Sequence, residues 1–197
     1  MKTLIINGGT IEDAFALSYI ERVKPDCILA ADRGMEFCYR NQIKPDVILG
    51  DYDSADKTIL EAFRRKSGIE WHQYQPEKDY TDSEIAIGKA MERNSSEIHI
   101  LGGTGTRLDH VLGNIQLLMQ PLAKDIPCFL IDSHNRIRLL KARTILQKSQ
   151  QFGKYVSLLP LTTEVTGVTL TGMKYPLQDA ASVSYTHLRA HETTLHL

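Results

Sequence analysis

Residues 98–118 read IHILGGTGTRLDHVLGNIQLL, and this stretch decides the architecture. Ile98–Leu101 is a short apolar run, and Gly102, Gly103 and Gly105 make the segment after it rich in glycine. From Leu108 the apolar residues fall at Leu108, Val111, Leu112, Ile115 and Leu118. Steps of three and four place those side chains on one helical face and predict that the whole stripe is core. Strand, glycine turn and helix in immediate succession form half of a βαβ unit. In that setting the bare N–H groups of the turn and the start of the helix can hold phosphate. The segment lacks both the G-x-x-x-x-G-K-[ST] pattern and the G-x-G-x-x-G fingerprint, so neither a P-loop nor a dinucleotide site is indicated. Arg107 closes the turn and can clamp phosphate oxygens with two donors. The competing reading is a tight turn with a solvated Arg.

The same alternation extends in both directions. Strand candidates are Thr3–Asn7, Cys27–Ala31, Val47–Leu49, Ile69–Tyr74, Ile98–Leu101 and Cys128–Ile131, with helical patterns near 12–22, 34–41, 55–66, 82–93 and 108–119. Strands separated by helices of this length require right-handed crossovers. Continuously apolar strands mean that both faces of the sheet are covered. The expected fold is α/β: a doubly wound, mostly parallel, Rossmann-like sheet. After Asn135 the helices stop. Arg136–Lys141, Thr144–Gln147, Tyr155–Leu161 and Val165–Leu170 read as strands of a small antiparallel β-domain. The expected division is 1–130, 131–181 and an atypical tail over 182–197. That tail, SVSYTHLRAHETTLHL, holds His187, His191 and His196 but neither an apolar face nor a third metal ligand.

Composition bounds the function classes. The chain has 197 residues, 42% of them hydrophobic, and a net charge of −1, which gives no footprint for nucleic acid or an anionic membrane. No apolar run approaches the roughly 20 residues that span a bilayer. The start, MKTLIINGGT, is interrupted too early by Asn7-Gly8-Gly9 to serve as a secretory signal and reads as a buried strand. Cys27, Cys38 and Cys128 are odd in number and lack a C-x-x-C, so neither a disulfide framework nor a zinc site is indicated, and a reducing cytoplasm is the simplest setting.

In an open parallel sheet, ligands bind beyond the carboxyl ends of the strands. Those exits read Asn7-Gly8-Gly9, Asp32-Arg33-Gly34, Gly50-Asp51-Tyr52-Asp53-Ser54, Lys78-Asp79-Tyr80-Thr81-Asp82, Gly102-Gly103-Thr104-Gly105 and Asp132-Ser133. Carboxylates converging on one rim repel one another unless a cation neutralises them. Hard oxygen ligands with no nearby thiol favour Mg²⁺ shared with substrate phosphates. Each piece has a plainer reading: Asp51 and Asp53 suit an Asp-bearing turn, while Thr81 and Glu84 form a capping box with Asp82 in the first helical turn. Asp109, His110, Gly113 and Asn114 lie off the apolar stripe. His110 is read as structural, and Asp109 is the better candidate for chemistry.

With these four ordered motifs, from Asp32-Arg33-Gly34 to Gly102-Gly103-x-Gly105-x-Arg107-x-Asp109-His110, the chain resembles the thiamine pyrophosphokinases over about residues 1–180. Pro45-Asp46 and Asn114 also fit. The resemblance implies an N-terminal domain that binds ATP, a C-terminal β-domain that helps hold thiamine, and a homodimer. By motif position Asp32, Asp51, Asp53 and Asp82 would hold Mg²⁺, and Lys78, Thr81, Gly103 and Arg107 would meet the ATP phosphates. Asp109 would lie near the reacting groups, and Asn114 would line the pocket. The departure comes after Tyr175-Pro176-Leu177, where family members continue with further strands and a Ser-Asn-Glu-like segment. The tail here has neither, which predicts an unpaired edge and an incomplete substrate site. The implied reaction is an in-line attack of the thiamine hydroxyl on the β-phosphorus of ATP with AMP leaving, Asp82 or Asp109 accepting the proton. A pyrophosphokinase acting on a hydroxymethylpterin and a non-catalytic nucleotide-binding module are the alternatives.

Overall fold

The structure is a computed structural model that describes residues 1–53, 55–75, 80–105, 107–183 and the backbone of 188–190. Two compact units divide at Thr144 and Ile145. The first carries β1 (Lys2–Ile6), α1 (Asp13–Val23), β2 (Cys27–Ala31), α2 (Gly34–Arg40), β3 (Val47–Gly50), α3 (Lys57–Arg64) and β4 (Glu70–Gln73). It continues with α4 (Asp82–Glu92), β5 (Glu97–Leu101), α5 (Leu108–Leu117), α6 (Met119–Ala123), β6 (Cys128–Ile131) and β7 (Arg136–Ile137). These strands form one seven-stranded sheet in the order β4-β3-β2-β1-β5-β6-β7. Every pairing is parallel except β6 with β7. The doubly wound α/β sheet read from the alternation is therefore present.

The strands are buried because their apolar runs are covered on both faces. Leu4, Ile5, Ile6, Leu29, Ile48, Leu49, Ile98, Ile100 and Leu130 are essentially inaccessible. The chain steps outward from β1 through β2, β3 and β4, then returns to lay β5 on the other side of β1. The strand order reverses there, which opens a crevice at the carboxyl ends of β1 and β5. Gly34 shows how tightly α2 meets the sheet: a Cβ at this position would stand 1.9 Å from the Ile6 carbonyl oxygen. The three cysteines are buried free thiols, and desolvation pushes Cys38 and Cys128 up to about 12, leaving them inert.

Three expectations change. Arg136–Ile137, expected in the second domain, pairs with β6 instead, because the Asp132 carboxylate accepts from the His134 and Asn135 N–H groups (2.8 and 2.7 Å) and closes a tight hairpin. Thr144–Gln147 forms no strand and runs into a single 3₁₀ turn at Lys148–Gln150. On α5 only half of the apolar stripe is covered: Leu118, just past the helix, is buried, whereas Leu108 and Leu112 are 74% and 62% exposed. Those two project roughly a quarter turn away from the Val111–Ile115–Leu118 line, beyond the reach of the sheet.

The second unit holds two small antiparallel pairs. β9 (Glu164–Leu170) pairs with β10 (Leu177–Val183), and β8 (Val156–Leu158) pairs with β11 (Leu188–Ala190). Pairing thus continues into the stretch expected to be an atypical tail. His187, His191 and His196 lie outside the described residues.

Candidate functional site

The exits of the central strands are tied together by the backbone. Asn7 donates its N–H to the Leu101 carbonyl (2.8 Å) and Gly9 to that of Gly102 (3.0 Å), locking the turn after β1 onto the turn after β5. Gly102 adopts φ 69°, and a Cβ there would stand 2.4 Å from the Asn7 carbonyl oxygen, so this position requires glycine. The Asn7 amide donates to the Ser83 hydroxyl at 2.8 Å and fastens the first turn of α4 to the end of β1. That turn is capped by Thr81, whose hydroxyl accepts from the Glu84 N–H at 3.2 Å, as the capping-box spacing predicts. Asp82 is the first residue of the helix, with its carboxylate at the positive end of the helix dipole.

Asp32 is the hinge of the rim. It sits at φ 49°, a conformation that Asp tolerates better than most side chains, and donates its N–H to the Leu49 carbonyl at 2.8 Å. A Cβ on Gly8 would lie 3.3 Å from the Asp32 Oδ2, and one on Gly50 would lie 3.3 Å from its Cα. The exits of β1, β2 and β3 therefore meet at this one aspartate, with Asp51 next along the chain. Asp51 Oδ1 accepts from the Asp53 N–H at 3.0 Å, so this pair forms the Asp-bearing turn that was its plainer reading. Between them Tyr52 turns inward, its hydroxyl shared between the Ile48 and His72 carbonyls at 3.1 and 2.9 Å. Burial pushes this phenol up to about 12.

On the other side of β1, Gly103 is buried, and a Cβ there would strike Leu130 at 2.4 Å. Its carbonyl accepts from the Asn114 amide at 2.7 Å, so Asn114 pins the glycine turn. Arg107 grips Asp109 with two bonds of 3.3 and 2.6 Å in open solvent. The Arg107 guanidinium holds the Asp109 carboxyl below its usual range, which weakens it as a base. His110 is exposed, 4.0 Å from the Asp109 carboxylate. Lys78 lies outside the described residues.

Among the described residues, no group of three or more His, Cys, Asp or Glu side chains is close enough to hold a metal ion unaided. Magnesium rarely needs such a cage, since it binds through one or two carboxylates, water and substrate phosphates. The donors at the rim are hard oxygens. One of them, Asn7 Oδ1, is buried with no hydrogen-bond partner among the described residues, which is the condition of an acceptor awaiting a cation or its water. The residues present fit that group. The sequence placed Asn7 at the rim as the exit of β1 but gave it no role, since nothing local shows that its side-chain oxygen is left without a partner.

A doubly wound sheet whose switch point carries glycine turns and carboxylates defines an α/β protein with its candidate ligand crevice at the carboxyl ends of the strands. A family model described as the catalytic domain of thiamin pyrophosphokinase matches residues 22–130, and one described as its vitamin B1 binding domain matches residues 143–189. The chain belongs to the thiamin pyrophosphokinase family. It is 36% identical over 154 residues to the thiamine pyrophosphokinase of Bacillus subtilis, covering 77% of this chain and 70% of that one. Solved structures agree. The B. subtilis enzyme superposes with a TM-score of 0.82 at 28% identity, covering 97% of this chain and 88% of its own. That of Geobacillus thermodenitrificans gives 0.80 at 27%, covering 98% and 90%.

Proposed function

We propose that the chain transfers the pyrophosphoryl group of ATP to the primary hydroxyl of thiamine, giving thiamine diphosphate and AMP. The observation that carries this reading is the meeting of three strand exits at Asp32, inside the segment matched by the catalytic-domain model. The thiamine oxygen attacks the β-phosphorus, the bond from that phosphorus to the oxygen of the α-phosphate breaks, and AMP departs. Positioning and charge stabilisation account for most of the rate in such transfers. Asp32, Asp51, Asp53 and Asp82 would hold Mg²⁺, which when bound neutralises phosphate charge. Lys78, Thr81, Gly103 and Arg107 would orient the phosphates. Asp109 is committed to Arg107, which favours Asp82 as the acceptor of the hydroxyl proton.

The first unit, through Thr144, is the ATP-binding domain, and the second contributes to thiamine binding. The chain works as a homodimer, supported by the exposed apolar line Leu108, Leu112 and Met119. Free thiols fit a reducing cytoplasm, and no helix among the described residues is long and apolar enough to cross a membrane.

Asp51→Ala and Asp82→Ala are expected to lower turnover on the order of a hundredfold or more, with the melting temperature little changed. An assay of AMP release with thiamine and a hydroxymethylpterin in competition reads both acceptors. Wild-type rates in either variant would end the assignment of these carboxylates, and preference for the pterin would replace the acceptor.

A further inference from the structure

Helix α4 is fastened to the central strand at both ends. Beyond its C-terminal end the Thr3 hydroxyl shares a buried bond of 2.6 Å with that of Ser95, which donates in turn to the Ala90 carbonyl at 2.6 Å. At its N-terminal end the Asn7 amide donates to the Ser83 hydroxyl at 2.8 Å. Between these ties Ala86, Ile87 and Ala90 are buried, so packing and polar contacts together fix the place of the helix along β1.

The two ties are not equally satisfied. In the first, each hydroxyl has a partner. In the second, Asn7 is only 5% exposed, yet its Oδ1 has no hydrogen-bond partner among the described residues. A buried acceptor left empty costs free energy that an apolar side chain of the same size would avoid. As a source of stability the carboxamide is a poor choice. It supplies direction instead, one donor aimed at one residue in the first turn of α4.

That turn begins with Asp82, and Ser83 is the next residue. On its other side Asn7 is followed by Gly8, where a Cβ would lie 3.3 Å from the Asp32 Oδ2. The backbone of Asn7 is itself pinned. Its N–H donates to the Leu101 carbonyl, and a Cβ on Gly102 would stand 2.4 Å from its own carbonyl oxygen. Asn7 is thus a rigid link between the strand exit that meets Asp32 and the helical turn that carries Asp82.

We propose that Asn7 is a positioning residue for the metal site: acting through Ser83, it sets Asp82 at the reach from Asp32 at which both carboxylates serve one Mg²⁺. This rests on the assignment of those carboxylates to Mg²⁺. Asn7 and Ser83 act through Asp82 rather than on the ion, and their bond decides how well the ion is held.

Titration calorimetry of the full chain tests this with α,β-methylene-ATP, which cannot release AMP, once with Mg²⁺ and once with the metal chelated. The ratio of the two affinities reads how well the metal is held, without turnover. Asn7→Leu and Ser83→Ala are each expected to lower that ratio about tenfold, while the metal-free affinity stays within about twofold. The melting temperature of Asn7→Leu should hold or rise, since the empty acceptor is gone. Ser83→Thr keeps the hydroxyl and should keep the ratio. The double variant Asn7→Leu with Ser83→Ala should be no worse than either single one, because the two residues act through one bond. A wild-type ratio in Asn7→Leu or Ser83→Ala overturns the inference, as do additive losses in the double variant. Equal losses in Ser83→Thr and Ser83→Ala overturn it too. Asp82→Asn tells two failures apart. If it loses the ratio while Asn7→Leu keeps it, this inference alone falls. If it keeps the ratio, or if the wild-type chain gains nothing from Mg²⁺, the carboxylate assignment falls and takes this inference with it. Should Asn7→Leu fail to fold, the contrast between Ser83→Ala and Ser83→Thr decides.

Discussion

The two units are built on different economies of burial. Every buried hydrophobic side chain among the described residues lies between Leu4 and Ile131. In the second unit β9 is exposed along most of its length, and Ile145, Leu159, Leu161 and Val165 stand in solvent. The inner parallel strands of the first unit are covered on both faces, so most of their apolar groups leave water, while the edge strand β4 is only partly buried. Two-stranded antiparallel pairs have nothing comparable to cover them and are marginal on their own. Chemistry that depends on carboxylates held to fractions of an ångström therefore belongs on the first unit, where packing fixes the backbone.

This contrast can be broken, beginning with the largest expected effect. Gly34→Ala puts a methyl group 1.9 Å from the Ile6 carbonyl, and the helix cannot retreat without opening the sheet. A loss of about 4 kcal/mol or more in urea unfolding is expected, or failure to accumulate soluble protein. Leu29→Ala, at a fully buried site on β2, should cost about 2–5 kcal/mol by the same measurement.

Glu70→Gln tests a smaller interaction at the edge of the first unit. Glu70 on β4 receives His72, Arg93 at 2.6 Å and Lys89 at 3.4 Å, and so ties the edge strand to α4. His72 above all, with Arg93 and Lys89, holds this carboxyl down at about 2 from 4.5. A depressed carboxyl stabilises the fold above its unfolded value, near pH 4.5, and that stability disappears as pH falls toward 2. Water screens the half-exposed group, so the change is expected to be about 1 kcal/mol near neutrality, fading in acid. Thermal melts of both proteins between those limits should converge, and parallel curves would show that the pairs contribute nothing. The smallest effect is Leu159→Ala in the second unit, expected to stay within about 0.5 kcal/mol. A cost matching that of Leu29→Ala would show that the second unit has a core after all.

Much of the fold was legible because its signals are local. The run Ile98–Leu101, the glycines after it and the helical spacing from Leu108 are complete within about twenty residues, and they define a strand–turn–helix whatever lies around them. The capping box at Thr81 and the Asp51–Asp53 turn were readable for the same reason. Misreadings came where distant chain mattered. Leu108 and Leu112 have the right period for burial but no neighbour to cover them. His99 interrupts an apolar strand, yet it is buried, bonded to Tyr19 and Glu97 at 2.7 Å each and stacked on Phe129. Glu97 is two residues away on the same strand, but Tyr19 and Phe129 come from α1 and β6, and no spacing announces them. Asn114 was placed in the pocket by motif position alone, and its bond to the Gly103 carbonyl is likewise not announced by spacing.

By itself, then, the order of residues determined which segments become strands and helices, and that glycines and acids stand at the carboxyl ends of those strands. Both are properties of short windows, governed by period and turn chemistry. The tertiary structure alone decided that β5 lies beside β1, that Gly8, Asp32 and Gly50 come together, and that Asn7 reaches Ser83. Neighbourhood in a parallel sheet depends on crossovers that join residues far apart in the chain, and on which apolar faces they happen to cover.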